Sequence, residues 1–149
     1  MTSISSVGVE APYEAVARSF FDAWNAKDAD AFARVFTEDV EFTTVKGETQ
    51  RGRTEVADGH RALFAQLFAS ATLTCTGVRG CGIADGVGAI DATWYIAEHV
   101  TPAGDHVPRR EGSLLLIARE WDGWRPMKVL NSECTRAYRR GADGALRWE

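Results

Sequence analysis

The spacing of apolar residues changes character part-way along the chain. Over roughly the first 70 residues they recur every three or four positions, the spacing of one helical face. A first helix is predicted to open at Pro12, with Val16, Phe20 and Trp24 on its buried stripe. After Ala71 the pattern changes to alternation and to runs rich in β-branched and aromatic residues. Helices followed by strands predict an α+β domain, with the helices on one face of a mixed or antiparallel sheet.

The boundaries follow from caps and turn residues. A short second helix is predicted from Asp30, a strand over residues 40–45, and a third helix that reaches about Ala69 and has Thr54 as its N-cap. Further strands are predicted over residues 71–79, 87–100, 113–121 and 124–134. Residues 101–106 and Asp122-Gly123 are predicted to be hairpin turns between them.

One polar residue interrupts the stripe of the third helix. In "GRTEVADGHRALF", His60 lies four residues after Val56 and four before Phe64, so it shares their face. Gly59 beside it weakens the helix. A histidine on a core-facing stripe is either a hydrogen-bonded core residue or a functional group in a cavity.

Composition and charge exclude several classes of function. The chain has 149 residues and a net charge of -4, which argues against a nucleic-acid partner. No apolar run has the roughly 18 residues that a membrane span needs. The three cysteines are an odd number without metal-type spacing, which favours a reduced, cytoplasmic protein. Residues 1–11 lack the features of a signal peptide and are expected to form a loose arm, and residues 135–149 a basic extension.

Three stretches together resemble a known superfamily. "FFDAWNAKDADAFARVFTEDVEF", "RGRTEV…H" and "DGWRPMKVLNS" are similar to the nuclear-transport-factor-2-like proteins, and within them to the SgcJ/EcaC group and its SnoaL-like relatives. The resemblance implies one domain over residues 12–134. Its fold would be a cone in which three N-terminal helices pack on a strongly curved mixed or antiparallel sheet and enclose a pocket. It also implies a homodimer formed through the sheet and a small, largely apolar ligand.

The resemblance also limits the chemistry. Related steroid isomerases place a tyrosine at the position of Phe20 and an aspartate base at that of Thr44, so steroid-isomerase chemistry is not expected here. No nucleotide-binding glycine motif follows a strand, and no cofactor is expected. The three histidines, His60, His99 and His106, lack the spacing of metal ligands, so no metal site is predicted.

The resemblance implies where the pocket lies, between the third helix and the sheet. His60 matches an inward-facing histidine of the group and is the predicted acid/base residue. Asp91 is the second catalytic candidate; it lies three residues before Trp94, so only one of the two faces the pocket. The remaining predicted ligand-binding residues are Phe20, Trp24, Thr44, Gln50, Trp94, Met127 and Asn131.

Two functions remain open at this stage. The first is a cofactor-independent enzyme of bacterial natural-product biosynthesis, of the polyketide or enediyne type. It would act on a bulky apolar substrate by acid/base chemistry: cyclisation, hydration, epoxide opening or a proton shift. The alternative is a non-catalytic binding, carrier or self-resistance protein with the same pocket. The enzyme needs the proton-transfer group of His60, whereas the binder needs only the apolar cavity.

Overall fold

Three helices form one side of the molecule. The computed structural model describes residues 11–134 and 138–148. Helix α1 spans Ala11–Ala26, α2 spans Ala29–Ala33, and α3 spans Gly52–Ala65. Strands β1 (Glu41–Thr43) and β2 (Thr49–Arg51) lie between α2 and α3. The third helix therefore follows a short hairpin.

A six-stranded sheet forms the other side. Its long strands are β3 (Leu73–Ala84), β4 (Val87–Ile96), β7 (Arg110–Glu120) and β8 (Trp124–Glu133). The strand order is β2-β1-β8-β7-β4-β3, in which β1 pairs with β8 in parallel and every other pair is antiparallel. The α+β class with a mixed, mostly antiparallel sheet is thus confirmed.

Two small hairpins lie outside this sheet. Strands β5 (His99–Val100) and β6 (His106–Val107) form one, and β9 (Tyr138–Arg140) and β10 (Leu146–Trp148) form the other. The second hairpin belongs to the predicted C-terminal extension, and Leu146 and Trp148 in it are exposed. The predicted N-terminal arm lies outside the described residues except for Ala11, where α1 begins.

The core lies between the helices and one face of the sheet, which we call the inner face. Alternation in β4 buries Ile90, Ala92, Trp94 and Ile96 on this face. The inner face meets a group of aromatic rings from α1, α2, β1 and the turn after α2, of which Phe20 is in contact with four others. These rings are Phe20, Phe21, Phe32, Phe36 and Phe42.

Local details correct several predicted boundaries. The N-cap of α3 is Arg51 and not Thr54; Glu55 instead accepts a hydrogen bond from the backbone N–H of Arg51 at 2.6 Å. Asp28, rather than Asp30, caps α2 through its side chain. The predicted strand over residues 87–100 breaks after Ile96, and its last residues pair in the separate β5–β6 hairpin.

Candidate functional site

A small cavity lies between α1, α3 and the inner face of the sheet. Its volume is about 80 Å³. Its wall is largely apolar and aromatic, and four polar side chains interrupt it: Thr44, His60, Arg110 and Asn131. The other lining residues are Phe20, Trp24, Phe42, Val45, Leu63, Phe68, Leu73, Trp94, Ile96 and Leu114. The wall thus combines an apolar enclosure with a few polar groups, as small-molecule sites do.

His60 is the buried polar group of this wall. His60 is only 5% exposed, and its ring centroid lies 4.8 Å from that of Phe32 and 5.0 Å from that of Phe42. Nδ1 lies 2.8 Å from the carbonyl oxygen of Val56. Because a carbonyl oxygen only accepts, Nδ1 carries the proton and donates.

The environment of His60 favours the neutral ring. Burial lowers the pKa of His60 below its ordinary value of 6.5, and the hydrogen bond to Val56 opposes this shift only in part. In the neutral form Nε2 holds a lone pair. No partner for Nε2 is found among the described residues. His60 therefore offers the cavity one acceptor or weak base.

Asn131 is oriented by a neighbouring indole. Nε1 of Trp94 donates to Oδ1 of Asn131 at 3.0 Å. Because an indole N–H can only donate, it identifies the oxygen of the amide, and the Nδ2 group is the end left to donate elsewhere. Of the pair Asp91 and Trp94, it is therefore Trp94 that lies on the cavity side.

Arg110 is held at the cavity by a two-point ion pair. Its Nε and Nη2 donate to the two carboxylate oxygens of Glu133 at 2.6 and 2.8 Å. The two side chains are 20% and 24% exposed. This geometry raises the pKa of Arg110 and lowers that of Glu133. The guanidinium also lies 5.6 Å from the ring centre of Phe68, another wall residue.

Trp24 is fixed by a lysine at the end of α1. Nζ of Lys27 lies 3.6 Å from the centre of the Trp24 ring and donates to the carbonyl of Ala71 at 2.6 Å. Burial lowers the pKa of Lys27 to about 8. The contact packs Trp24 against the aromatic wall and ties α1 to the segment before β3.

Three sequence-predicted residues lie away from the cavity. Asp91 is exposed on the outer face of the sheet, opposite Arg79 and Leu115, because β4 places Trp94 on the inner face. Met127 sits at a β-bulge between paired Lys128 and Pro126, which removes it from the alternation that Val129 and Asn131 follow. These two residues are therefore not part of the cavity wall.

Gln50 is the third. It packs over Gly59 of α3, where a β-carbon would come within 2.1 Å of the Gln50 amide nitrogen. This close approach accounts for the glycine beside His60. The oxygen Oε1 of Gln50 is buried without a hydrogen-bond partner among the described residues.

Six of the residues predicted from the sequence line the cavity: Phe20, Trp24, Thr44, His60, Trp94 and Asn131. Arg110 also lines the cavity but is not among the residues predicted from the sequence. Arg110 lies four residues before the apolar Leu114 in β7, and residues two or four apart share one face of a strand. This spacing was the available signal that Arg110 faces inward.

Comparison with known proteins places this arrangement in a family. The sequence profile of the SnoaL-like domain matches residues 17–148. The chain belongs to the SnoaL-like family. No curated protein matches it.

Solved structures share the SnoaL-like fold of this chain. An uncharacterized protein with a cystatin-like fold from Caulobacter vibrioides is 28% identical, with a TM-score of 0.74 over 83% of this chain and 88% of that one. A ketosteroid isomerase-like protein from Erwinia carotovora atroseptica is 16% identical, with a TM-score of 0.69 over 84% and 95%. The orange carotenoid protein of Anabaena (Nostoc), which binds canthaxanthin, is 13% identical, with a TM-score of 0.66 over 88% and 37%.

Two other kinds of feature are absent from the described residues. In residues 11–134 and 138–148, no helix is long and apolar enough to cross a membrane. Over the same ranges, no three His, Cys, Asp or Glu side chains group closely enough to hold a metal ion.

Proposed function

We propose that this SnoaL-like protein is a cofactor-independent enzyme that moves a proton on a small, largely apolar ligand bound in the cavity. The observation that carries the proposal is the state of His60. Its ring lies in the cavity wall, Nδ1 is engaged by Val56, and Nε2 has no partner among the described residues. A neutral imidazole in this state is a general base at neutral pH.

The chemistry that fits is a proton shift next to a carbonyl. Nε2 of His60 takes a proton from the carbon beside the carbonyl. The electron pair of that C–H bond forms a carbon–carbon double bond, and the π pair of the carbonyl moves onto its oxygen to give an enolate. Nδ2 of Asn131 has no hydrogen-bond partner among the described residues and can donate to this oxygen. The imidazolium then returns its proton to another position of the ligand, a step favoured because burial lowers the pKa of His60.

The size of the cavity narrows the substrate. A volume of about 80 Å³ is far below that of drug-sized pockets, which hold roughly 300–1,000 Å³. We therefore propose that a small apolar group occupies the cavity and that any larger remainder of the substrate extends beyond Val45, which is 36% exposed. We further propose that the protein belongs to the SgcJ/EcaC group, that a cone-shaped fold encloses its pocket, and that it acts in bacterial natural-product biosynthesis. Its membership of the SnoaL-like family supports these three points.

Proton exchange on a ketone probe tests the proposal. The α-protons of cyclopentanone are followed by NMR in D₂O, with and without the protein. We expect the protein to accelerate exchange, and His60→Gln to reduce the acceleration by at least about 100-fold, the usual scale of general base catalysis. His106→Gln, an exposed histidine in β6, is the control and should leave exchange unchanged. Equal exchange with wild type and His60→Gln would contradict the proposal.

A non-catalytic binding protein is the second candidate. It is favoured by the aromatic cluster around His60, which is what a purely structural histidine also requires. Under this alternative no ketone exchange is catalysed, and His60→Gln alters ligand affinity only through packing. The canthaxanthin complex of the orange carotenoid protein is consistent with an apolar ligand for this fold.

We also propose that two copies pair through the outer face of the sheet. Leu130 is 43% exposed there and is paired in register with Leu115, which is half-buried. Such exposed leucines on a sheet face favour association. Sedimentation should show a dimer that Leu130→Asp converts to a monomer; a wild-type monomer would contradict the pairing.

A further inference from the structure

The permanent charge in the cavity lining is positive. Among the fourteen lining residues, Arg110 is the only one with a permanently charged side chain, and none is an aspartate or glutamate. Asn131 adds a neutral N–H donor from the same region. The electrostatic character of the cavity therefore favours an electron-rich oxygen on the ligand.

Strand register places the donors together. Arg110 and Leu114 lie on the inner face of β7, and Leu114 is paired with Asn131 of β8. Glu133 lies two residues beyond Asn131 and so shares its face. Arg110 and Asn131 thus lie together on one side of the cavity wall, with Glu133 behind Arg110.

The ion pair leaves Arg110 with donors to spare. Glu133 takes the Nε and Nη2 groups, and no hydrogen bond of Nη1 is found among the described residues. The pair fixes the plane of the guanidinium, so Nη1 is held in place before any ligand arrives. Glu133 also offsets much of the positive charge, which makes the partial burial of Arg110 tolerable.

We infer that the ligand carries, besides the carbonyl group of the proposed proton shift, a carboxylate on a short branched or cyclic apolar body. Its apolar body lies among the aromatic rings, and its carboxylate accepts hydrogen bonds from Nη1 of Arg110 and from one N–H of Asn131 Nδ2, whose second N–H donates to the carbonyl oxygen. This inference rests on the proposed function for the location of the ligand, but it assigns a ligand class and a specificity-determining role to Arg110. Two donors, one of them charged, recognise an anionic oxygen far better than a neutral amide.

A matched pair of probes tests the ligand class. Isovalerate and its neutral amide, isovaleramide, have the same apolar body, and their dissociation constants are measured from the shift of the Trp94 indole N–H signal. We expect isovalerate to bind at least about tenfold more tightly, the scale of one hydrogen bond to a charged group. Equal affinities overturn the inference.

Three variants assign the preference to its residue. Arg110→Gln should remove the preference for isovalerate. Arg109→Gln is the matched control, because Arg109 is 55% exposed, pairs with Glu111 and lies 4.2 Å from the ring centre of Tyr95. It should keep the full preference. Glu133→Gln removes the competing carboxylate and should increase the preference, a gain that a misfolded variant would not give.

The outcomes separate the inference from the proposed function. If both probes bind equally and shift Trp94, the cavity binds ligands but the carboxylate preference is refuted. The same refutation follows if Arg109→Gln and Arg110→Gln lose the preference equally. If neither probe moves the Trp94 signal at saturating concentrations, ligand binding in the cavity is refuted as well.

Discussion

The state of His60 has a direct consequence for the pH dependence of stability. Burial lowers its pKa in the folded protein below the ordinary 6.5 of the unfolded chain. Between these two values the unfolded state binds more protons, so the free energy of unfolding rises with pH. Stability is therefore lost as the pH falls below about 6.5, and the loss stops at the folded-state pKa. His60→Gln removes the titrating group and should flatten this part of the curve.

The size of the effect follows from proton linkage. Within the window, each pH unit changes the free energy of unfolding by up to about 1.4 kcal/mol. From about pH 7.5 to about pH 5.5, His60 should thus account for a loss of at most about 1.4 kcal/mol. Carboxylates such as Glu133, whose pKa is lowered by Arg110, contribute only below about 4.5, outside the window.

Urea unfolding at several pH values measures the slope for wild type, His60→Gln and His106→Gln. The difference between wild type and His60→Gln should grow as the pH falls. His106→Gln, exposed in β6, should follow the wild-type curve. Parallel curves for wild type and His60→Gln would refute the claim that His60 is held neutral by burial.

Further predictions concern the wall around the cavity. Gly112→Ala should destabilise the fold by about 1–3 kcal/mol in urea unfolding. The added β-carbon would lie 2.1 Å from the carbonyl oxygen of Ser132 in β8 and 2.5 Å from the Trp94 ring. Trp94→Phe and Asn131→Leu should show a coupling of about 1 kcal/mol in a double-mutant cycle, since they share one hydrogen bond. Glu133→Gln should cost about 1–2 kcal/mol at neutral pH. The lowered pKa of Glu133 means that this cost is lost as the pH falls through the folded-state value.

Each of these has a control or a refuting result. Ser113→Ala, exposed beside Gly112, should leave stability unchanged. A Gly112→Ala variant as stable as wild type would refute the close packing of β7 on Trp94. Additive effects of the Trp94 and Asn131 variants would remove the argument for the orientation of the amide. A cost for Glu133→Gln that is independent of pH would show that its charge is not involved.

Much of the fold is readable from the sequence because the apolar spacing is regular. The spacing of apolar residues in the helices and their alternation in β4, β7 and β8 predict directly which residues are buried. What the pattern misses depends on contacts distant in sequence. Strand β2 is three residues long and exists because it pairs with β1. The break after Ile96 arises because His99 and Val100 pair with β6 instead of continuing β4.

The site divides in the same way. The stripe of α3 predicts that His60 faces inward, and the period of two predicts that Asp91 and Trp94 face opposite ways. It does not say which of them faces the helices. The bulge at Met127 shifts the face of every residue on one side of it, and no local signal marks it. The role of Arg110 depends on Glu133, which is 23 residues away and is brought near only by strand register.

The nitrogen spectrum of the His60 ring tests the central claim most directly. A long-range ¹H–¹⁵N correlation experiment at neutral pH distinguishes the two nitrogens and their protonation. We predict a neutral ring with the proton on Nδ1, bonded to Val56, and an unprotonated Nε2 whose signal moves when isovalerate is added. A doubly protonated ring, a proton on Nε2, or a spectrum that no ligand changes would contradict the account.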